Sequence, residues 1–238
     1  MRLRTQLFLT LLLLIAVVLV FDRTSLDVWV QNYFYNASAV DKPPLERWLV
    51  YKFDRSLEFW FHKSIKIAVA VFGGCVFMLA LAGFRVKRLA AYRYRLMFLA
   101  CAMGLVSLIV GGTKHITDTY CPNQTVLYGG DKPYVKVMER YPAGYETRKK
   151  GRCFPAGHAT AGFGLMALYF VFRSRRARIT GLAFGLTLGW VLGAFQMVRG
   201  EHFLSHTLFT MIASWLVILL TYFAFDKLGL ARPRGALS

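Results

Sequence analysis

The sequence predicts an all-α, polytopic membrane protein whose residues 1–238 form one domain, a bundle of six transmembrane helices. The composition is the first reason: 56% of the residues are hydrophobic and the mean hydropathy is +0.44, which excludes a soluble globular domain and a disordered chain. The second reason is a set of six apolar runs that approach the roughly 17–25 residues a helix needs to cross a bilayer. They cover residues 6–21, 64–83, 96–112, 158–172, 179–198 and 207–225.

Basic residues flank these runs unevenly and predict the orientation of the bundle. Segments 84–95 and 173–178 hold five and four Lys or Arg and no acid. The loops on the opposite side hold a similar number of basic residues, but over far longer segments and mixed with most of the acids. We therefore expect both termini on the cytoplasmic side and loops 22–63 and 113–157 on the outer side.

The first apolar run has features of a signal peptide, because Arg2 and Arg4 precede a leucine-rich stretch. No small-x-small cleavage site precedes Asp22, so we expect an uncleaved membrane anchor. The loop that follows, residues 22–63, is rich in aromatic residues interleaved with charges. This pattern predicts amphipathic interfacial helices where lipid substrates enter, or a packing belt without a substrate role.

Residues 196–206 place Arg199, His202 and His206 beside an apolar run, where charged and polar groups are expensive unless they have a function. If this stretch is helical, the three side chains share one face. Arginine matches phosphate or carboxylate, and histidine serves as a nucleophile or proton shuttle near neutral pH. The alternative is an interfacial helix end whose polar side chains reach toward water or lipid head groups.

The second outward loop, residues 113–157, begins next to Lys114 and ends at Arg152-Cys-Phe-Pro-Ala-Gly-His158. Gly157 permits close approach of the backbone to a ligand, and the N–H groups at the start of the next helix favour an anion. A solvated basic loop attracted to anionic lipid is the alternative.

In their order and spacing, these polar segments resemble the motifs of the type-2 phosphatidic acid phosphatase superfamily, the membrane lipid phosphate phosphatases. That family's motifs read Lys-x6-Arg-Pro, Pro-Ser-Gly-His and Ser-Arg-x5-His-x3-Asp. Here they read Lys114-x6-Cys121-Pro122, Pro155-Ala-Gly-His158 and Gln196-x5-His202-x3-His206. Both arginines, the serine and the aspartate are replaced, so the resemblance implies a divergent bacterial subfamily.

The resemblance implies a role for each matching residue. His202 would attack phosphorus to form a phosphohistidine, His158 would protonate the leaving group, and His206 would stand in for the orienting aspartate. The expected phosphate-binding residues are Lys114, Arg199, Gly157, Arg152 and Gln196, with Lys149 and Lys150 as further candidates.

The implied reaction is hydrolysis of a lipid phosphate or pyrophosphate at the periplasmic face of the bacterial inner membrane, with no cofactor. Undecaprenyl pyrophosphate, phosphatidylglycerol phosphate, phosphatidic acid and lipid A all remain open as substrates; the membrane is an expected partner and nucleic acid is not. Three alternatives stay open: phosphate transfer between lipids, a zinc hydrolase using His158, His202, His206 and Glu201, and a catalytically degenerate lipid-binding relative.

The four cysteines fall into two groups. Cys75 and Cys101 lie within apolar runs and are expected to be packing residues. Cys121 and Cys153 lie in the second outward loop, where an oxidising compartment permits a disulfide. Such a bond would hold Lys114 and His158 around one site.

Overall fold

The computed structural model describes residues 3–145 and 150–230, apart from the side chain of His62, and over these residues it is helical without a β-strand. Within these ranges the seven helices are α1 (Leu3–Arg23), α2 (Leu26–Asn32), α3 (Arg55–Ala82), α4 (Arg93–His115), α5 (Thr160–Val171), α6 (Arg175–Val198) and α7 (Leu204–Lys227). Helices α1, α3, α4, α6 and α7 are long and apolar enough to cross a membrane. The chain is therefore a helical protein of the multi-pass membrane class.

The fourth predicted span, residues 158–172, differs from the prediction. Helix α5 runs only from Thr160 to Val171, about 18 Å at 1.5 Å per residue. A hydrocarbon layer about 30 Å thick needs a longer helix. Six full-length spans are thus not confirmed. The apolar run includes residues 158 and 159 of the preceding turn, and α5 itself contains a 3₁₀ turn at Leu165–Ala167.

Glycines allow α5 to lie directly against α6. A Cβ atom added at Gly162 would meet the backbone of Gly189, so the two helices are in main-chain contact there. Small residues at such positions are typical of membrane helix interfaces. The other side of α5 packs into the apolar core with side chains of α4 and α7, including Phe98, Leu99 and Ile218. This packing fixes the start of α5, which directly follows the second motif.

Helix α3 begins nine residues earlier than the predicted span at residue 64. The Asp54 carboxylate accepts a hydrogen bond from the Leu57 N–H at 3.0 Å and caps the helix start at Arg55. Phe59, Trp60 and Phe61, which we expected in an interfacial loop helix, therefore lie in a π-helical turn of the spanning helix. All three side chains are exposed, as is typical of an aromatic belt at a membrane edge.

The rest of loop 22–63 covers one end of the bundle. Its regular structure is α2, a 3₁₀ turn at Pro44–Glu46 and an isolated bridge between Tyr35 and Trp48. Trp48 packs with Tyr128 of the second loop and Phe203 of the segment before α7. This aromatic cluster brings these three segments together over the helix ends.

Candidate active site

The segment between α6 and α7 is a turn and not a helix. Arg199, His202 and His206 therefore do not share one helix face. Helix α6 ends at Val198 and α7 begins at Leu204. Gly200 between them has φ +70°, a left-handed conformation that glycine adopts readily. The turn separates the directions of Arg199 and His202.

A cavity of about 590 Å³ opens between α3, α4, the start of α5 and this turn. One part of its wall is polar: Lys66, Lys114, Arg152, His158 and His202. The other part is formed mainly by apolar residues and glycines of α3 and α4, including Val69, Gly73, Phe77, Met103 and Gly104. The structure therefore gathers one residue or more from each of the three motif segments around a single space.

Hydrogen bonds tie the first motif segment to the second. The Cys153 N–H donates to the Thr119 carbonyl at 2.9 Å, and the Gly151 N–H donates to an Asp118 carboxylate oxygen at 2.6 Å. Cys121 and Cys153 are joined in a disulfide, with their Cα atoms 5.1 Å apart. These connections hold the segment after Lys114 against the segment before His158.

The third motif segment is fixed in the same way. The Asn123 N–H donates to the Gly200 carbonyl at 2.9 Å, and its side-chain amide donates to Glu201 at 3.0 Å. Glu201 also forms an ion pair with Lys52 at 2.7 Å. The carboxylate of Glu201 is thus engaged in supporting the turn that presents His202.

His202 is 5% exposed, and its two ring nitrogens have different surroundings. Nδ1 lies 3.4 Å from Cys153 Sγ, and the ring also interacts with the Cys153 backbone carbonyl. A disulfide sulfur and a carbonyl can only accept, so we assign the ring proton to Nδ1. Nε2 then carries the lone pair, and it has no hydrogen-bond partner within residues 3–145 and 150–230.

Burial lowers the pKa of His202 to about 4, because desolvation disfavours the imidazolium. Glu201 and the Cys153 carbonyl oppose this shift, whereas Lys114 and Lys66 add to it. The imidazole is therefore neutral at pH 7, the state that a nucleophilic histidine requires.

His158 stands across the cavity from His202, with the two ring centroids 5.5 Å apart. Its Nδ1 lies 2.8 Å from the ammonium nitrogen of Lys66 on α3. Lys66 is a site residue that our sequence reasoning missed. The sequence did contain a signal for Lys66. A lysine within an apolar membrane segment costs free energy, so such a residue is a candidate functional residue.

Several predicted phosphate-binding residues do not line the cavity. The Arg199 side chain is buried, donates to the Lys52 carbonyl and lies 5.1 Å from the centre of the Phe195 ring. Gln196 is 2% exposed within α6 and is likewise absent from the cavity wall. Lys150 is exposed and outside the lining, and Lys149 lies outside the described residues. Gly157 lines the cavity, but its N–H donates to the Pro155 carbonyl at 2.9 Å.

His206 lies beside His202, with the two ring centroids 5.8 Å apart, and does not line the cavity. It is 1% exposed, and its ring packs against Phe154 and Phe203 with centroid distances of 5.2 and 5.5 Å. Cys153, rather than His206, lies at the Nδ1 atom of His202, where the resemblance implied an orienting group. His206 instead belongs to the packed layer behind the nucleophile candidate.

The structure does not assemble the zinc ligand set that the sequence left open. Donor atoms of Cys153, His202 and His206 lie within 4.8 Å of one another, without His158 or Glu201 in the group. The Cys153 sulfur is bonded to Cys121 and provides no thiolate. The charged side chains that line the neighbouring cavity are cationic, namely Lys66, Lys114 and Arg152, which is unfavourable for a dication.

Together, the helices and the cavity define a helical membrane protein with a basic, histidine-lined site for an anion. The chain belongs to the PAP2 superfamily: the family model matches residues 95–229, more than half of the sequence. This match confirms the resemblance and supports phosphatase-type activity on phosphate esters. It includes Lys114, His158 and His202 and leaves Lys66 outside. No curated protein and no solved structure matches the chain.

Proposed function

We propose that this protein is a membrane lipid phosphatase that removes phosphate from a lipid phosphate or pyrophosphate through a phosphohistidine on His202. We place the reaction at the periplasmic face of a bacterial inner membrane. The observation that carries the proposal is the cavity itself, whose basic, histidine-lined part continues into an apolar part between α3 and α4.

The two parts of the cavity match the two parts of a lipid phosphate. Lys114 and Arg152 supply positive charge for the phosphate group. Gly73 and Gly104 add no side chain to the apolar wall, which leaves room along α3 and α4 for a hydrocarbon chain. A volume of about 590 Å³ is in the ordinary range for small-ligand sites.

The chemistry follows from the states of the two histidines. His202 Nε2 attacks phosphorus in line, a P–N bond forms, and the bond from phosphorus to the leaving oxygen breaks. His158 donates a proton to that oxygen. In the second half-reaction His158 accepts a proton from water, the water oxygen bonds to phosphorus, and the P–N bond to His202 breaks. Lys114 and Arg152 balance the charge on the phosphoryl oxygens throughout.

The residues that lie outside the cavity have supporting roles in this scheme. The Cys153 carbonyl and sulfur hold Nδ1 of His202, so that Nε2 carries the lone pair. Arg199 fixes the turn before His202 through the Lys52 carbonyl. Gln196 contributes through its backbone, since its carbonyl accepts from the Glu201 N–H at 2.9 Å.

The test is phosphate release by detergent-purified protein in the presence of EDTA, from phospholipid, isoprenoid and lipid A phosphates. We expect turnover by the wild type, a loss of a thousandfold or more in His202→Ala, and a loss of about 10²–10⁴-fold in His158→Ala. His115→Ala is the matched control, because this exposed histidine lies next to Lys114 but does not line the cavity; its activity should equal that of the wild type.

The other functions correspond to different results of this experiment. Loss of activity in EDTA would favour a zinc hydrolase, and labelled phosphate appearing on an added lipid alcohol would indicate transfer. Folded protein with no activity on any substrate would contradict the proposal and favour a lipid-binding relative.

A further inference from the structure

Lys66 lies in the first half of α3, half-buried in the cavity wall. Its ammonium nitrogen is 2.8 Å from His158 Nδ1. It comes from a helix that precedes the region matched by the family model and belongs to none of the three motifs.

The chemistry of the two groups fixes the protonation of His158. A lysine ammonium has three donors and no acceptor. The short contact therefore requires Nδ1 of His158 to be an acceptor, and an imidazole with an acceptor nitrogen is neutral. The single ring proton of His158 then resides on Nε2, the nitrogen turned away from Lys66.

This protonation state creates a difficulty for the proposed reaction, and Lys66 removes that difficulty. A neutral imidazole that gives its Nε2 proton to a leaving group would become an imidazolate, which is a very unfavourable product. If the Lys66 ammonium transfers a proton to Nδ1 at the same time, His158 remains neutral. The transfer from Lys66 to Nδ1 uses a hydrogen bond that is already formed.

We propose that Lys66 is a positioning residue that holds His158 in its Nε2–H tautomer and replaces the proton that His158 gives to the leaving oxygen. The proton balance is complete. In the first half-reaction a proton passes from Lys66 Nζ to His158 Nδ1 while the Nε2 proton passes to the departing oxygen. In the second, water gives a proton to Nε2 and the Nδ1 proton returns to Lys66. This catalytic part rests on the proposed function, whereas the tautomer does not.

The kinetic test compares leaving groups that differ in their need for a proton. We would measure kcat for dodecyl phosphate, whose alkoxide must be protonated, and for 4-nitrophenyl phosphate, whose phenolate leaves without a proton. Lys66→Met should lower kcat by about 100-fold or more for the alkyl ester and by less than about tenfold for the aryl ester. Lys66→Arg keeps a positive charge but does not release a proton, so the loss on the alkyl ester should persist.

Two kinetic results would overturn the relay. Equal losses on both esters in Lys66→Met would indicate a merely structural or charge-binding role. Recovery of the wild-type rate on the alkyl ester in Lys66→Arg would show that charge alone is sufficient. If the wild type hydrolyses neither ester nor any lipid phosphate, the failure belongs to the proposed function rather than to Lys66.

Histidine ¹⁵N NMR tests the tautomer without turnover. The His158 signals are identified by their loss in His158→Ala. In the wild type we expect the proton on Nε2 and a hydrogen-bonded, unprotonated Nδ1, and in Lys66→Met we expect that hydrogen-bond shift to disappear. The exposed His115 should give the same signals in both proteins. A proton on Nδ1 of His158 in the wild type would refute the inference.

Discussion

His202 shows how burial sets the state of a single residue. Its environment lowers the pKa to about 4, with desolvation as the main cause. We therefore expect the His202 ring to titrate near pH 4 in a ¹⁵N NMR titration of the purified protein, and to remain neutral at pH 6. An unstructured histidine peptide, which titrates near 6.5, is the reference. A midpoint for His202 near 6.5 would show that the ring is solvated. It would contradict the conclusion that burial keeps this histidine neutral for nucleophilic attack.

The sequence identified those site residues whose role depends on spacing along the chain. Lys114, His158 and His202 follow the family motifs, and the structure gathers all three around one cavity. Lys66 belongs to no motif, and spacing could not pair it with His158, which is 92 positions away in sequence. Arg199 was given a role in phosphate binding because the turn at Gly200 is not readable from spacing. Where a side chain points after a turn depends on backbone torsions that residue type only partly determines.

Asp27 of α2 connects the first outward loop to α7. One carboxylate oxygen accepts from the Ser205 N–H at 2.8 Å and the other from the Ser205 hydroxyl at 2.5 Å. The carboxylate thus satisfies a donor at the start of α7 and interacts favourably with the helix dipole. Asp27→Ala should lower the free energy of unfolding by roughly 1–3 kcal/mol, because the Ser205 N–H and hydroxyl stay buried without an acceptor. Thermal unfolding in detergent measures this change.

The control is Asp41→Ala, which removes an exposed carboxylate from the same loop. If Asp27→Ala unfolds at the same temperature as the control, Asp27 does not anchor α7.

Burial also raises the pKa of Asp27 to about 6 from 3.8. Between pH 3.8 and about 6 the folded state retains the Asp27 proton, whereas the unfolded state releases it. The protonated Asp27 therefore contributes to the free energy of unfolding at low pH, and this contribution is lost as pH rises through about 6. The lowered pKa of His202 has the opposite effect on stability: between pH 6.5 and 4 the unfolded state binds a proton that the folded state does not, so acid destabilises the fold. Removal of the Asp27 carboxyl group removes the opposing contribution, so acid should destabilise the variant more than the wild type.

At the level of helices, hydropathy predicted where apolar segments occur but not where they begin. The run at 64–83 lies in α3, yet the Asp54 cap starts the helix at Arg55. The run at 158–172 was predicted to span the membrane because Phe, Leu and Ala continue from the preceding loop through the short helix α5, which includes a 3₁₀ turn. In both cases local hydrogen bonding sets the boundary, and a hydropathy average does not detect it.

In the whole molecule, the cavity, the disulfide and the aromatic cluster lie together at one end of the helices. Two independent arguments support the proposal that this end lies outside the cytoplasm. The short loop 83–92 at the opposite end is rich in Lys and Arg, as cytoplasmic loops usually are. A Cys121–Cys153 disulfide persists in an oxidising compartment and not in the cytosol. An outward site is also the orientation that gives access to lipid phosphates of the outer leaflet.

This orientation predicts which engineered thiols react from outside. Asp41→Cys and Lys87→Cys place single thiols on exposed positions of loops at the two ends of the bundle. The background would carry Cys75→Ala and Cys101→Ala, which removes both free cysteines of the described chain. In intact spheroplasts a membrane-impermeant maleimide should label Asp41→Cys and leave Lys87→Cys unmodified, whereas both should react after permeabilisation. Labelling of Lys87→Cys alone would put the cavity in the cytoplasm, where neither the disulfide nor a periplasmic substrate would be compatible with the site.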